Sequence, residues 1–351
     1  MTEAAASGEE FIRPYRPGFA DWLLEKRRLN SRAGWAAYFA IAATVTLVYW
    51  AVAWSEGTLP EHAGLIHLLL PLFAFAGLPA LTWFNVLSRR ALAAARPLLK
   101  VDDPGYRLLS YRLTTMPAPL FIAAAGIGLL SLALLTIFRP PNTFETLHIM
   151  VTPMATLLEW TFQFLVWTGV GIVGVEIARK LWVIDDIYSC HIQINILRPG
   201  ALAAFSRVSA AMVIFTLGAV VLATIALAQF GTTVTWAFGA GIPTVLAAIA
   251  FVAPLWGGHR LMAQEQARHL DELGERIAAT IATLRASVDA GALDEVGPLK
   301  DTLEGLKIAR DEYDSVSTWP WQRGTLAGVV TALIAPMVVW VVTRSLETLV
   351  P

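Results

Sequence analysis

The chain has 351 residues, 56% of them hydrophobic and 15% charged, with a net charge of −1 and a mean hydropathy of +0.59. Soluble domains carry roughly a quarter charged residues, so this balance fits a chain whose solvent is mostly lipid, and the near-zero charge argues against a nucleic-acid partner. The single cysteine, Cys190, excludes an internal disulfide framework and a cysteine-only zinc site.

Residues 1–32 contain Glu3, Glu9, Glu10, Lys26, Arg27 and Arg28 and no apolar core, so no secretory signal is expected and the segment reads as a retained cytoplasmic N-terminus. Seven later windows, 34–54, 64–87, 117–138, 154–178, 208–230, 236–256 and 325–343, are long and apolar enough to cross a hydrocarbon core that takes about 20 helical residues. Their apolar runs are continuous, which excludes the alternation of a barrel strand and leaves helices as the spanning element.

Orientation follows from where lysine and arginine collect. Lys26, Arg27, Arg28 and Arg32 precede the first window, Arg89, Arg90, Arg96 and Lys100 follow the second, and Arg179, Lys180, Arg198 and Arg207 lie between the fourth and fifth. The opposite loops contain one basic residue, Arg139. The expected topology is N-terminus inside, C-terminus outside, in a cell (inner or plasma) membrane. Pro71, Pro79, Pro243 and Pro336 fall inside windows and predict kinks. Gly169, Gly171 and Gly174 in the fourth window, with Ala124 and Gly128 in the third, predict close helix contact.

After the six-span bundle of residues 33–257 the composition changes. Over 258–316 nearly every third residue is charged, and Leu270, Leu273, Ile277, Ile281, Leu284 and Val288 recur at steps of three and four, one stripe on an amphipathic helix. Ala290 and Gly291 supply a stop, Asp294 is the expected N-cap of a second helix with Pro298 in its first turn, and Val296, Leu299, Leu303, Leu306 and Tyr313 form a matching stripe. The stripes predict a cytoplasmic antiparallel helical hairpin continuous with the sixth span. In the final segment, 317–351, Ser317 or Thr318 is the expected cap of the seventh span, Pro320 sits in its first turn, and Trp319 and Trp321 suit the headgroup layer.

Chemistry-bearing patterns are sparse. Cys190 and His191 are adjacent, but the spacings that build metal or haem sites are missing, so no metal and no cofactor are expected. Asp102–Asp103 and Asp185–Asp186 lie beside basic clusters and read as solvated charge balance, and Glu176 beside Arg179 and Lys180 reads as interfacial. Glu159 and Gln163 share a face of the fourth window, with Thr156 one turn earlier; an ionisable group in a span is a candidate polar or pore-lining site. Neither a Walker motif nor a nucleophile elbow nor a dinucleotide fingerprint occurs, so a non-enzymatic protein is expected.

The expected fold is therefore all-α, a polytopic bundle of about seven spans with the hairpin between spans six and seven. Its topology, with the sixth span prolonged into the cytoplasm and a helix leading back into the seventh, is similar in outline to insect chemoreceptor channels, without a shared motif. The leading expectation is a homo-oligomeric channel or conduit with the hairpin as assembly or gating stalk. A membrane scaffold or sensor that recruits a cytoplasmic protein partner through the hairpin is the alternative, and a secondary transporter the third; the lipid bilayer is a partner in each.

Overall fold

In the computed structural model all regular elements among the described residues are helices. Those residues are 13–26, 31–55, 65–137, 152–192, 203–227, 241–319 and 323–349. A short α1 (Phe19–Lys26) precedes α2 (Arg32–Ser55) and α3 (Leu65–Ala95), then α4 (Asp103–Thr114), α5 (Ala118–Ile137) and α6 (Pro153–Asp186). After a π-helical turn, Ile187–His191, come α7 (Ala203–Leu227), α8 (Ile242–Asp289), α9 (Leu293–Ser315) and α10 (Arg323–Leu349).

Among the described residues four helical stretches are long and apolar enough to cross a membrane: Arg32–Ser55, Leu69–Leu98, Pro153–His191 and Ala204–Ala223. Ala118–Leu134 and Gly324–Val339 are apolar but shorter. Exposed apolar side chains such as Ile122, Leu130, Leu157 and Val170 cover the outside of these helices, an arrangement that water penalises and lipid does not.

Three apolar cores hold the described residues together. One joins α2, α3 and α6 around Tyr49, Leu70 and Phe162. A larger one joins α3, α4, α6 and α7 around Phe84, Leu113, Ile184 and Phe205. The third joins α7, α8 and α10 around Leu217, Phe251 and Val329. Glycines set the α5–α6 distance, as expected for Gly128 and Gly171: a Cβ at Gly128 would run into the carbonyl of Trp167, and one at Gly171 into that of Ala124. Gly174 has open space where its Cβ would be.

Several local expectations are corrected. The helix of the fourth window does not end at 178, because α6 continues to Asp186 and the π turn carries it to His191; Ile177, Leu181, Ile184 and Ile187 continue its buried face. Pro243 falls in the first turn of α8, where its missing N–H has no intrahelical partner to lose. Asp294 lies inside the first turn of α9, with Ala292 at the cap position, so it acts on the helix dipole rather than as a cap. Pro298 sits within α9, beyond that first turn. Ser317, Thr318 and Trp319 are not helical, and the returning helix α10 is described from Arg323.

Candidate functional site

Glu176, Arg179 and Lys180 are spaced i, i+3 and i+4 on α6 and so emerge on one face. That face is buried. Side-chain exposure is 4% for Glu176, 9% for Arg179 and 0% for Lys180. Removing an ion from water costs several kcal/mol unless every lone pair and proton is matched, and here the matching is close to complete. Lys180 Nζ donates to Glu176 Oε1 at 2.8 Å, to Asn85 Oδ1 on α3 at 2.6 Å and to the Leu113 carbonyl at 2.7 Å, which uses all three ammonium protons. Arg179 grips Glu176 bidentately, Nε and Nη2 each at 2.7 Å, and its Nη1 donates to the Arg112 carbonyl.

The Arg112 and Leu113 carbonyls belong to the last turn of α4, whose final C=O groups lack intrahelical donors. Two buried cations at this negative end satisfy those carbonyls and oppose the helix dipole. At the other end of α4, Asp102 accepts from the Gly105 N–H at 2.8 Å, and Asp103 pairs with Arg96. Asp102 thus caps the helix, while the exposed Asp103 paired with Arg96 is the solvated charge balance expected of it.

The segment before α1 closes the node. Tyr15 donates through its hydroxyl to the Thr115 carbonyl at 2.9 Å, and Tyr111 donates to the Tyr15 carbonyl at 2.8 Å. Asp21 accepts from the Met116 N–H at 2.9 Å. Burial pushes the Asp21 carboxyl up to about 6; the Met116 N–H, Lys180 and Arg179 pull it down, and Glu176 adds to the rise. Burial likewise raises the Tyr15 phenol. The node joins α1, α3, α4 and α6 with its donors already spent, which makes it a clamp. Glu176 is thus buried within the protein.

The sequence-expected polar residues lie nearer the N-terminal end of α6. Thr156, Glu159 and Gln163 are all half-buried. The Thr156 hydroxyl donates back to the Thr152 carbonyl at 3.0 Å, and Glu159 is near enough to the buried Tyr49 of α2 to act on it electrostatically.

Trp319 lies where α9 ends. Its indole stacks on the His259 imidazole with centroids 4.0 Å apart and planes 4° from parallel, and Trp256 meets both rings edge-on. Pro320 and Trp321 lie outside the described residues. Leu270, Leu273, Ile277, Ile281 and Leu284 on α8, and Leu299, Leu303 and Leu306 on α9, are each half-buried where their helix neighbours are largely exposed. α8 and α9 pack on each other. Ser287 donates to Glu295 at 3.0 Å beside the turn, where Gly291 takes φ +73°, and Gln266 donates to the carbonyls of Tyr313 and Val316 at 2.7 and 3.1 Å. Gln266 thereby satisfies carbonyls at the C-terminus of α9.

Sequence reasoning missed Asn85, Gln266, His259 and Asp21. The available signal was Asn85 inside an apolar run together with the spacing of Glu176, Arg179 and Lys180. Among the described residues no group of three or more His, Cys, Asp and Glu side chains is placed to hold a metal ion. No family model matches the chain, and neither a curated protein nor a solved structure matches it.

Proposed function

We propose that this protein is a multi-pass membrane scaffold or sensor that engages a cytoplasmic protein through α8 and α9. In this reading seven helices span the bilayer with the N-terminus in the cytoplasm and the C-terminus outside, and the polar half of α8 with α9 forms an antiparallel hairpin in the cytoplasm. At 1.5 Å per residue the 48 residues of α8 extend roughly 70 Å, more than twice the roughly 30 Å hydrocarbon core. The helix therefore supports a rigid link between membrane and cytoplasm.

The observation that carries the proposal is the incomplete burial of this extension. Two helices cover each other's stripes only in part: the stripe residues are half-buried, Val288 at the end of the first is 52% exposed, and Ile308 outside the second stripe adds an apolar side chain 64% exposed. Apolar surface left in water gains about 25 cal/mol per Å² when a partner covers it. A photoactivatable residue in place of Leu273 in native membranes tests this. A cross-link to a different protein supports the scaffold, a cross-link to a second copy favours the oligomeric conduit, and no cross-link reduces the extension to a spacer.

The conduit is kept as a second reading for one reason: Glu159 is a half-buried carboxylate within a helix long and apolar enough to span. Cation conductance in liposomes that Glu159→Gln diminishes would favour it.

A further inference from the structure

The segment from Tyr15 through α1 is fastened at the point where the apolar helix α5 begins. The Ala118 N–H, first in α5, donates to the Arg16 carbonyl at 3.1 Å, and the Gly18 N–H donates to the Met116 carbonyl at 2.8 Å. Gly18 is needed for this approach, since a Cβ there would meet Phe121 Cβ at 3.0 Å and the Met116 carbonyl at 3.3 Å. α1 thus lies beside the end of an apolar helix, at the level where such a helix leaves the hydrocarbon.

The two faces of α1 differ. Leu24 is buried, and Asp21 reaches the Met116 N–H. On the other side Phe19 and Trp22 are 59% and 39% exposed, with rings stacked 5.7 Å apart. Phe19 also meets Phe121 at 6.4 Å, next to Ile122, which is 71% exposed on α5. The apolar exterior of α5 therefore continues onto α1, and Arg16 adds an exposed cation at the same level. Aromatic rings with a nearby basic side chain match the headgroup layer, where an apolar body, an indole N–H and a phosphate partner are all accommodated.

We propose that Arg16, Phe19 and Trp22 form a bilayer-surface contact for an anionic lipid headgroup, the aromatic pair entering the headgroup layer and Arg16 meeting the phosphate. This rests on the membrane-spanning reading above. Because Asp21 leads from α1 to the buried clamp, a lipid held on one face stabilises the helix that completes the node on the other.

The test uses full-length protein in nanodiscs with Cys190→Ser and a single nitroxide at Phe19→Cys, Ile122→Cys or the exposed Asp301→Cys. Labels at 19 and 122 are expected to collide with oxygen in preference to a water-soluble nickel chelate, and the label at 301 to do the reverse. A water-like label at 19 with a lipid-like label at 122 overturns the contact and leaves the membrane reading standing; a water-like label at 122 removes both. Phosphatidylglycerol in phosphatidylcholine discs is expected to raise the Tm, inorganic phosphate to leave it unchanged, and Arg16→Gln to lose the lipid-dependent rise. An equal rise in Arg16→Gln, or an equal response to inorganic phosphate, overturns the headgroup assignment.

Discussion

The ammonium of Lys180 on α6 donates to the side-chain oxygen of Asn85 on α3 at 2.6 Å, and both residues are buried. This bond joins positions 95 residues apart in the chain. It also carries a consequence for stability. Lys180→Met leaves Asn85 Oδ1 and the Leu113 carbonyl without that donor, whereas Glu176→Gln leaves two buried cations short of a counter-charge. Breaking a buried ion pair from one side costs about 3–5 kcal/mol. Both variants are expected to lower the Tm in detergent, Glu176→Gln by more, and a Glu176→Gln Tm equal to wild type would remove the clamp.

The Asp21 carboxyl, raised to about 6 in the folded protein against 3.8, holds its proton longer folded than unfolded. Stability from this group is therefore complete below about pH 4 and is lost as pH rises through about 6. Two pH units at about 1.36 kcal/mol each bound the effect at about 3 kcal/mol. Asp21→Asn keeps an acceptor for the Met116 N–H but does not titrate. Its Tm is expected to fall less than that of wild type between pH 4 and 6, and parallel curves would contradict the assignment.

Gly171→Val places a side chain against the Ala124 carbonyl and the Gly128 backbone, whereas Gly174→Val enters open space. The first is expected to reduce folded yield severely and to cost more than 1–3 kcal/mol, the usual range of overpacking. The second should stay within about 1 kcal/mol of wild type. Comparable detergent-stable yields for the two would show that α5 and α6 do not pack closely.

Trp319→Ala removes the ring that stacks on His259 and meets Trp256. Hydrogen exchange is expected to quicken at residues 313–319 while the α8–α9 turn at Gly291 keeps its protection. Unchanged exchange at 313–319 would mean that the stacked rings do not hold the joint.

Reporter fusions after Ala93, Arg198 and Gly291 are expected to read cytoplasm, and fusions after Thr58 and Thr143 the opposite side. An external reading at Gly291 overturns the cytoplasmic hairpin.

Helical class and the positions of several apolar segments were legible because they depend on short-range quantities. The apolar run of α2 is visible in 24 consecutive residues, and the change of α8 from apolar to periodic is equally visible along its sequence. Close packing was legible at Gly171 and Gly128, since a missing side chain is a local property, but the same reasoning included Gly174, which faces open space. Whether a glycine is pressed depends on its rotation about the helix axis relative to a neighbour.

The charge node was decided by tertiary structure. Read locally, Glu176, Arg179 and Lys180 near the end of an apolar run resemble charges reaching for water. Burial became favourable only because α4 ends at that depth with unmatched carbonyls and α3 brings Asn85. Likewise Trp319 announced an aromatic at a boundary, but its flat contact with His259 required α8 and α9 to run back on each other for about 60 residues. Local composition determines which segments avoid water, whereas pairing of distant polar groups depends on the three-dimensional path that brings them within hydrogen-bond reach.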